Sequence, residues 1–292
     1  MYKSGEKKMR YAKDWKDYEI IATGNGEKLE RWGDIKLLRP DPQIIWDAKY
    51  DLSKEKGLNG HYHRENTGGG KWKTLIPTKD EWTISYKDLK FLIKPMGFKH
   101  TGLFPEQAVN WDIMIDLIQK ANRPIKVLNL FAYTGGATVA CTYAGAEVTH
   151  VDASKGIIEC AKKNMELSGL KDKPVRYMVD DCKKFVEREI RRGKKYDAII
   201  MDPPSYGKGP SGETWRINEN LYDFIKLTAK VLSDTPLFVL VNTYASGLQP
   251  TIIGNLLELG YPKGKVENYE IGIPTKEGII LPCGSGSIKI WK

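Results

Sequence analysis

VLNLFAYTGGATVA (127–140), followed by EVTHVDAS (147–154), decides the fold of this chain. A run of strand formers ends at Phe131, a Tyr-Thr-Gly-Gly turn follows, and helix formers resume at Ala137. Gly135 and Gly136 let the backbone turn sharply and approach a ligand where a Cβ would clash. The second strand ends in Asp152, 17 residues after Gly135. An acid at that place can accept both hydroxyls of a ribose. Turn and acid together describe a nucleoside pocket, without saying which nucleoside. The G-x-G-x-x-G spacing of dinucleotide folds is not met.

Outward from this segment, strand and helix alternate. Glu106–Ala121 carries Val109, Ile113, Leu117 and Ile118 at helical spacing and stops near Pro124. Further strands are predicted at Lys126–Phe131, Glu147–Val151, Val175–Val179, Tyr196–Met201 and Leu237–Val241. Helices are predicted between and after them at Ala137–Tyr143, Gly156–Leu167, Lys183–Arg192, Glu219–Leu232 and Leu248–Leu259. Such alternation requires a parallel sheet with crossover helices, a Rossmann-like doubly wound α/β fold. Lys265–Ile273 and Ser287–Trp291 read as two strands with no helix between them, so an antiparallel last strand is expected.

The first hundred residues read differently. Short apolar stretches are broken by turn chemistry at Gly24-Asn25-Gly26 and Gly33-Asp34. This predicts a small β-rich N-terminal domain over 1–100, ahead of the α/β domain over 101–292. Asn59–Gly70 (NGHYHRENTGGG) is polar and glycine-rich and reads as a mobile loop. Trp15, Trp32, Trp46, Trp72 and Trp82 fall in this region. Filling a small core is their weightier role, and stacking on bases the sharper one.

In open α/β sheets, ligands sit beyond the carboxyl ends of the strands. The third strand, in VRYMVDDCKKF (175–185), ends in Asp180-Asp181. Asp181 is the candidate acceptor for the exocyclic amine of an adenine, and Asp180 the candidate cap of the next helix. The fourth, in YDAIIMDPPSYGKG (196–209), is the most informative. Asp202-Pro203-Pro204 directly follows a buried strand, where two prolines cannot continue the ladder. They lock a stiff corner that presents a carboxylate and a proline carbonyl as acceptors. Aimed at an amino group, such acceptors orient it and disperse its developing positive charge. Tyr206 is placed to stack a base.

LNLFAYTGGATVA, HVDASKGIIECAKKN, DDCKKF and MDPPSYGKG together resemble the class I methyltransferases related to bacterial large-subunit ribosomal RNA methyltransferases. FKHTGLFPEQAVNW (98–111) resembles the family segment that precedes the cofactor fold. GNGEKLERWGDIKLLRPDPQIIW and LPCGSGS resemble a less characterised bacterial branch. The resemblance implies S-adenosylmethionine as cofactor, S-adenosylhomocysteine as product and RNA, most of all ribosomal RNA, as partner. Carried over by position, Asn129, Phe131, Tyr133, Thr134, Gly135, Gly136, Asp152, Ala153, Ser154, Asp181 and Cys182 would line the cofactor. Lys99, Thr101, Phe104 and Gln107 would approach its methionine end or cover the site. Asp202 would serve both sides, with Pro203, Pro204 and Tyr206 facing the acceptor.

Two departures from the family pattern matter. Cytosine-C5 members place a nucleophilic cysteine after the fifth strand, where this chain reads VNTYASGL (241–248). Without a thiolate to add at C6, C5 of cytosine is not nucleophilic, so direct transfer is expected instead. Ala108 stands where relatives often continue with Arg, removing one cationic contact to the cofactor carboxylate. The compact RNA-binding module ahead of some relatives is not matched.

Bulk properties set the outer limits. Net charge is +9, and residues 1–100 hold 21 Lys and Arg against 15 Asp and Glu. Such an excess draws polyanions, although a modest positive excess also serves solubility. The charged N-terminus lacks an apolar h-region, and four scattered cysteines form no framework, so a cytoplasmic, membrane-free protein is expected. Cys141, Cys160 and Cys182 read as packing residues, with Cys283 the weak stand-in for the missing nucleophile. His61 and His63 lack the accompanying ligands of a zinc site, and no metal is expected. The alternatives left open are a small-molecule or protein methyltransferase, a non-catalytic cofactor-binding RNA protein, and a nucleotide-linked oxidoreductase. The oligomeric state is open too, a homodimer included.

Overall fold

A computed structural model describes residues 8–65, 69–97, 99–209 and 212–291. The N-terminal strands are β1 (Lys8–Tyr11), β2 (Tyr18–Gly24), β3 (Glu27–Trp32), β4 (Ile35–Pro40), β5 (Leu58–Arg64), β6 (Gly70–Thr74), β7 (Trp82–Tyr86) and β8 (Leu89–Ile93). Then come α1 (Ala108–Lys120), β9 (Lys126–Leu130), α2 (Gly136–Tyr143), β10 (Glu147–Asp152), α3 (Lys155–Leu167), β11 (Val175–Val179) and α4 (Cys182–Arg191). They are followed by β12 (Ala198–Met201), β13 (Tyr206–Lys208), β14 (Thr214–Arg216), α5 (Ile217–Ala229), β15 (Phe238–Thr243), α6 (Pro250–Gly260), β16 (Lys265–Pro274) and β17 (Ile280–Ile290).

The chain forms two compact units. One holds Val109–Ile271 with the two chain ends; the other holds Tyr11–Ala108 and Gly272–Cys283. The sequence alone puts a single boundary after residue 100, whereas the second unit runs to Ala108 and also takes a late segment.

In the first unit the large sheet has the order β1-β16-β17-β15-β12-β9-β10-β11. Strands β9, β10, β11, β12 and β15 pair in parallel, and β17 runs antiparallel against β15. The expected doubly wound sheet with an antiparallel last strand is therefore present. β12 and β15 are buried along their whole length, as a parallel sheet covered on both faces demands. One face packs Leu128, Leu130, Phe185, Ile199, Phe224, Val239 and Leu257 into a continuous core. A hairpin, β13–β14, stands between the Asp-Pro-Pro corner and α5. Sequence periodicity missed it, because its strands are three residues each.

In the second unit β2 to β6 form a five-stranded sheet and β7–β8 a separate hairpin. Asn59–Gly70, read from sequence as a mobile loop, is mostly strand: β5 runs to Arg64 and pairs with β6. Residues 66–68 lie outside the described residues. Tyr62 and Trp72 explain the difference, since they face each other across the pair with rings 5.4 Å apart, and such aromatic pairs hold strands together despite polar neighbours. The tryptophans act as pegs: Trp32 is fully buried, and Trp15, Trp46, Trp72 and Trp82 each donate an indole N–H within the unit. Burial alone would raise the carboxyl of Glu30, but the two-pronged contact from Arg39 (2.6 and 2.8 Å) and the charge of Lys28 hold it down to about 2.

Candidate active site

Sheet register assembles the site. Leu130, the last residue of β9, pairs with Val151 on one side and Met201 on the other. Met201 in turn pairs with Val241, and Asp152 with Val179. Asp180-Asp181, Asp152, Phe131, Asp202 and Asn242 therefore line the carboxyl ends of these strands, in that spatial order. The direction of winding reverses at β9, between β10 and β12, which is where ligands of doubly wound sheets lie.

The glycine turn is tight and strained. Phe131 and Tyr133 adopt positive φ of 55° and 49°, which costs each non-glycine residue about 1–3 kcal/mol. Gly135 has φ 80°, and a Cβ there would stand 2.9 Å from the Ala161 Cβ. A Cβ on Gly136 would stand 2.7 Å from the Trp111 ring. Asn164 Nδ2 donates to the Thr134 carbonyl (2.8 Å) and so ties the turn to α3. Beneath it Asn129 donates to the Thr138 hydroxyl (3.0 Å), which lies 2.9 Å from His150 Nδ1. Burial depresses His150 to about 3, so it is a neutral packing residue.

Asp152 is held from two directions. One carboxylate oxygen accepts from the Tyr133 N–H (2.9 Å) and the other from the Ser154 N–H (3.0 Å). Burial raises its pKa, and the backbone donors pull it partly back. Each carboxylate oxygen offers about two lone-pair sites, enough for a ribose diol beside the backbone donors. Ser154 caps α3 by accepting from Ile157 N–H.

Asp181, and not Asp180, caps α4: its carboxylate accepts from the Lys184 N–H at 2.9 Å. Asp180 instead pairs with Arg188. The helix opens at Cys182, one residue earlier than read from the sequence, and this shift moves the cap from Asp180 to Asp181. The end of the β13–β14 hairpin lies beside Asp181, where a Cβ on Gly209 would be 3.2 Å from Asp181 Oδ2. Glu213 of the same hairpin pairs with Lys184. Cys182 is buried, its thiol pushed up by burial, and its sulfur accepts from the Phe131 N–H (3.3 Å).

Asp202 Oδ1 accepts from Asn242 Nδ2 at 3.0 Å. Pro203 is buried and Pro204 exposed, and the Pro204 carbonyl accepts from Trp215 Nε1 at 2.7 Å. The Trp215 ring lies 5.0 Å from Phe131 and 5.5 Å from Phe224. Tyr206 is 55% exposed on β13. Trp215 and Asn242 are the site residues that sequence reasoning did not propose. The missing cysteine directs attention to the corner formed by Asn242, Thr243 and Tyr244, whereas nothing in the spacing marks Trp215.

Lys99, Thr101, Phe104 and Gln107 lie in the second unit. Arg39 donates to the Lys99 carbonyl (2.8 Å), and burial lowers the Lys99 ammonium pKa. Thr101 is fully buried, and its hydroxyl has no hydrogen-bond partner among the described residues. Phe104 precedes a single 3-10 turn, Pro105–Gln107. His61 Nε2 lies 2.6 Å from Glu27, and no group of three metal-binding side chains occurs among the described residues. Among them, too, no helix is long and apolar enough to cross a membrane.

A glycine turn and an acid at the winding reversal, with a proline-stiffened acidic corner beside them, fit a Rossmann-like group-transfer enzyme. Residues 27–245 match the family of S-adenosylmethionine-dependent methyltransferases, and the chain belongs to that family. Its cofactor is S-adenosylmethionine. The structure of a SAM-dependent methyltransferase from Agrobacterium tumefaciens is 33% identical, with TM-score 0.92, covering 99% of this chain and 95% of that one. A provisionally named ribosomal RNA large subunit methyltransferase of Methanocaldococcus jannaschii is 34% identical over 195 residues, 63% of this chain and 49% of the relative. The ribosomal RNA large subunit methyltransferase K/L of Shewanella baltica is 30% identical over 177 residues, 60% of this chain and 24% of the relative. The chain thus spans about half or less of the length of these two ribosomal RNA methyltransferase relatives.

The residues fit the cofactor. Gly135 and Gly136 leave no space for a side chain against Ala161 and Trp111, so this turn would meet the cofactor with its backbone. Asp152 is pre-positioned by backbone donors before any ligand arrives.

Proposed function

We propose that this methyltransferase modifies a base of RNA, in the first place ribosomal RNA, by direct transfer without a cysteine adduct. Bound S-adenosylmethionine supplies an already activated methyl group. The protein has to hold the acceptor in line with it and disperse the charge that develops on the acceptor. Asp202 and the Pro203 carbonyl orient the acceptor, and Tyr206, exposed on β13, stacks on it. Asp152 and Asp181 hold the ribose and the adenine, with the glycine turn beneath the methionine part.

The observation that carries the reading is the Asp202–Asn242 contact at the carboxyl ends of β12 and β15, an acceptor-rich corner where a thiol would stand in a C5 enzyme. Burial pushes the Cys283 thiol well above its ordinary range, which argues against a thiolate there. The excess of Lys and Arg in residues 1–100 supports an RNA-binding role for the β-rich N-terminal region. The names of the ribosomal RNA methyltransferase relatives point the same way. The assignment of Lys99, Thr101, Phe104 and Gln107 to the cofactor rests on the resemblance alone.

The test is transfer of labelled methyl into total RNA from a strain lacking the protein, followed by nucleoside analysis. Label in large-subunit RNA is the expected result. Label confined to protein or small molecules would overturn the RNA assignment.

A further inference from the structure

Asn242 is 1% exposed, and its amide is only half used. The N–H side donates to Asp202 Oδ1 at 3.0 Å, while Oδ1 is buried and has no partner among the described residues. This orientation follows from chemistry: turning the amide over would press a carbonyl against an ionised carboxylate. A buried carbonyl without a donor loses its hydration and gets nothing back, so a residue kept there is explained by a donor that arrives later.

The residue directly opposite it offers no side-chain donor. Asn242 pairs in register with Gly286 of β17, which has no side chain. A Cβ on Gly286 would meet the Tyr269 ring at 2.4 Å, so the position admits only glycine. One residue on, Thr243 pairs with Ser285, and a Cβ on Gly284 would stand 3.0 Å from the Thr243 carbonyl and 3.3 Å from the Tyr244 ring. The glycines of PCGSGS thus let β17 pack closely against the end of β15 at the acceptor corner.

We propose that Asn242 binds the acceptor together with Asp202 and restricts it to an exocyclic amino group; this rests on the RNA-base reading above. An amino group has two N–H donors, one for the Asp202 carboxylate and one that Asn242 Oδ1 shares with the Pro203 carbonyl. Held by both, its lone pair is left for the methyl carbon. As the N–C bond forms, the C–S bond breaks with its electron pair staying on sulfur. One N–H proton then passes to the Asp202 carboxylate and on to water. A ring nitrogen, a ring carbon or a ribose hydroxyl offers at most one donor and leaves Asn242 unpaired.

The wild-type product from labelled total RNA should be a nucleoside methylated on an exocyclic nitrogen. Methyl on a ring atom or a ribose oxygen would overturn the proposal while leaving the RNA reading standing; no methyl in any RNA would overturn both. A second measurement compares two acceptor RNAs, one with the target base and one with the same base lacking its amino group. Wild-type enzyme should bind the second about tenfold more weakly. Asn242→Leu, of similar volume, should bind the two alike while keeping wild-type affinity for S-adenosylhomocysteine. If the variant preserves the tenfold preference, Asn242 serves only to hold Asp202, and the proposal fails. Should the variant not fold, the wild-type product analysis decides alone.

Discussion

The two halves of the site differ in how completely they are satisfied before any ligand arrives. At the cofactor half, both oxygens of Asp152 are engaged by backbone N–H groups, Asp181 caps a helix, and the Thr134 carbonyl is tied to Asn164. At the proposed acceptor half, the contact between Asp202 and Asn242 leaves Asn242 Oδ1 buried without a partner among the described residues. The first half is built from the backbone and tolerates little change in shape. The second is built from side chains and holds polar capacity in reserve. A cofactor that is the same at every turnover suits a rigid cradle, whereas specificity for an acceptor comes from groups left unpaired when the wrong one enters.

The sharpest break between the halves comes from Asp202→Ala. Removing an acceptor aimed at the reacting group typically costs about 10²–10³-fold in rate. Methyl transfer into RNA should fall by at least that much, while calorimetric affinity for S-adenosylhomocysteine changes by less than about threefold. A parallel loss of cofactor affinity would show that the two halves are not separable.

The opposite break comes from Gly136→Ala. The added carbon would meet the Trp111 ring at 2.7 Å, and overpacking of this kind costs about 1–3 kcal/mol. The expected result is a lower denaturation midpoint, with cofactor affinity reduced about tenfold through the displaced turn. An unchanged midpoint in urea would mean that Trp111 moves freely and that the cradle is not rigid.

The asymmetry also explains what the sequence made legible. The turn and acid proposed for the cofactor were readable as structure because they are local: Gly135 and Gly136 punctuate a strand-helix junction, and Asp152 ends the next strand. Doubly wound topology then brings those ends together without further information. The acceptor half depends on pairs far apart in the chain. Asp202 and Asn242 are 40 residues apart, and their contact needs the parallel register of β12 and β15. Trp215 reaches the Pro204 carbonyl only through a hairpin too short to announce itself by periodicity. The cap moved from Asp180 to Asp181 because of a one-residue difference in where α4 begins, a margin that propensity does not resolve. In the second unit, the misread stretch after Asn59 failed for a similar reason: Tyr62 and Trp72 stabilise each other across strands.

Asp152 offers a sharper test of the cofactor half through pH. Burial raises its pKa above the ordinary aspartate value, so its folded pKa exceeds that of the unfolded chain. Ionising it therefore works against the fold as pH rises through the two values, and acidification relieves that cost. Ribose binding has the opposite requirement, because a carboxylate must be ionised to accept from both hydroxyls. Affinity for S-adenosylhomocysteine should thus weaken as pH falls through the raised value, by up to about tenfold per pH unit. Titration calorimetry across the acidic range should place the decline above the pH expected of an exposed aspartate. Asp152→Asn should bind more weakly at neutral pH and lose this dependence. A variant that keeps the wild-type pH profile would move the titrating group elsewhere.

The smallest expected effect lies at the seam. Trp215 touches both halves: its indole N–H holds the Pro204 carbonyl of the acceptor corner, and its ring lies against Phe131 of the cofactor turn. Trp215→Phe removes the hydrogen bond while keeping an aromatic ring near Phe131 and Phe224. A single neutral hydrogen bond is worth about 0.5–1.5 kcal/mol net, and Trp215 is only half-buried, so the lower end applies. The rate of methyl transfer should therefore drop about two- to fivefold, with affinity for S-adenosylhomocysteine unchanged. If affinity falls and the rate holds, Trp215 belongs with the rigid cradle, and the division between the halves runs through the hairpin rather than at Asp202.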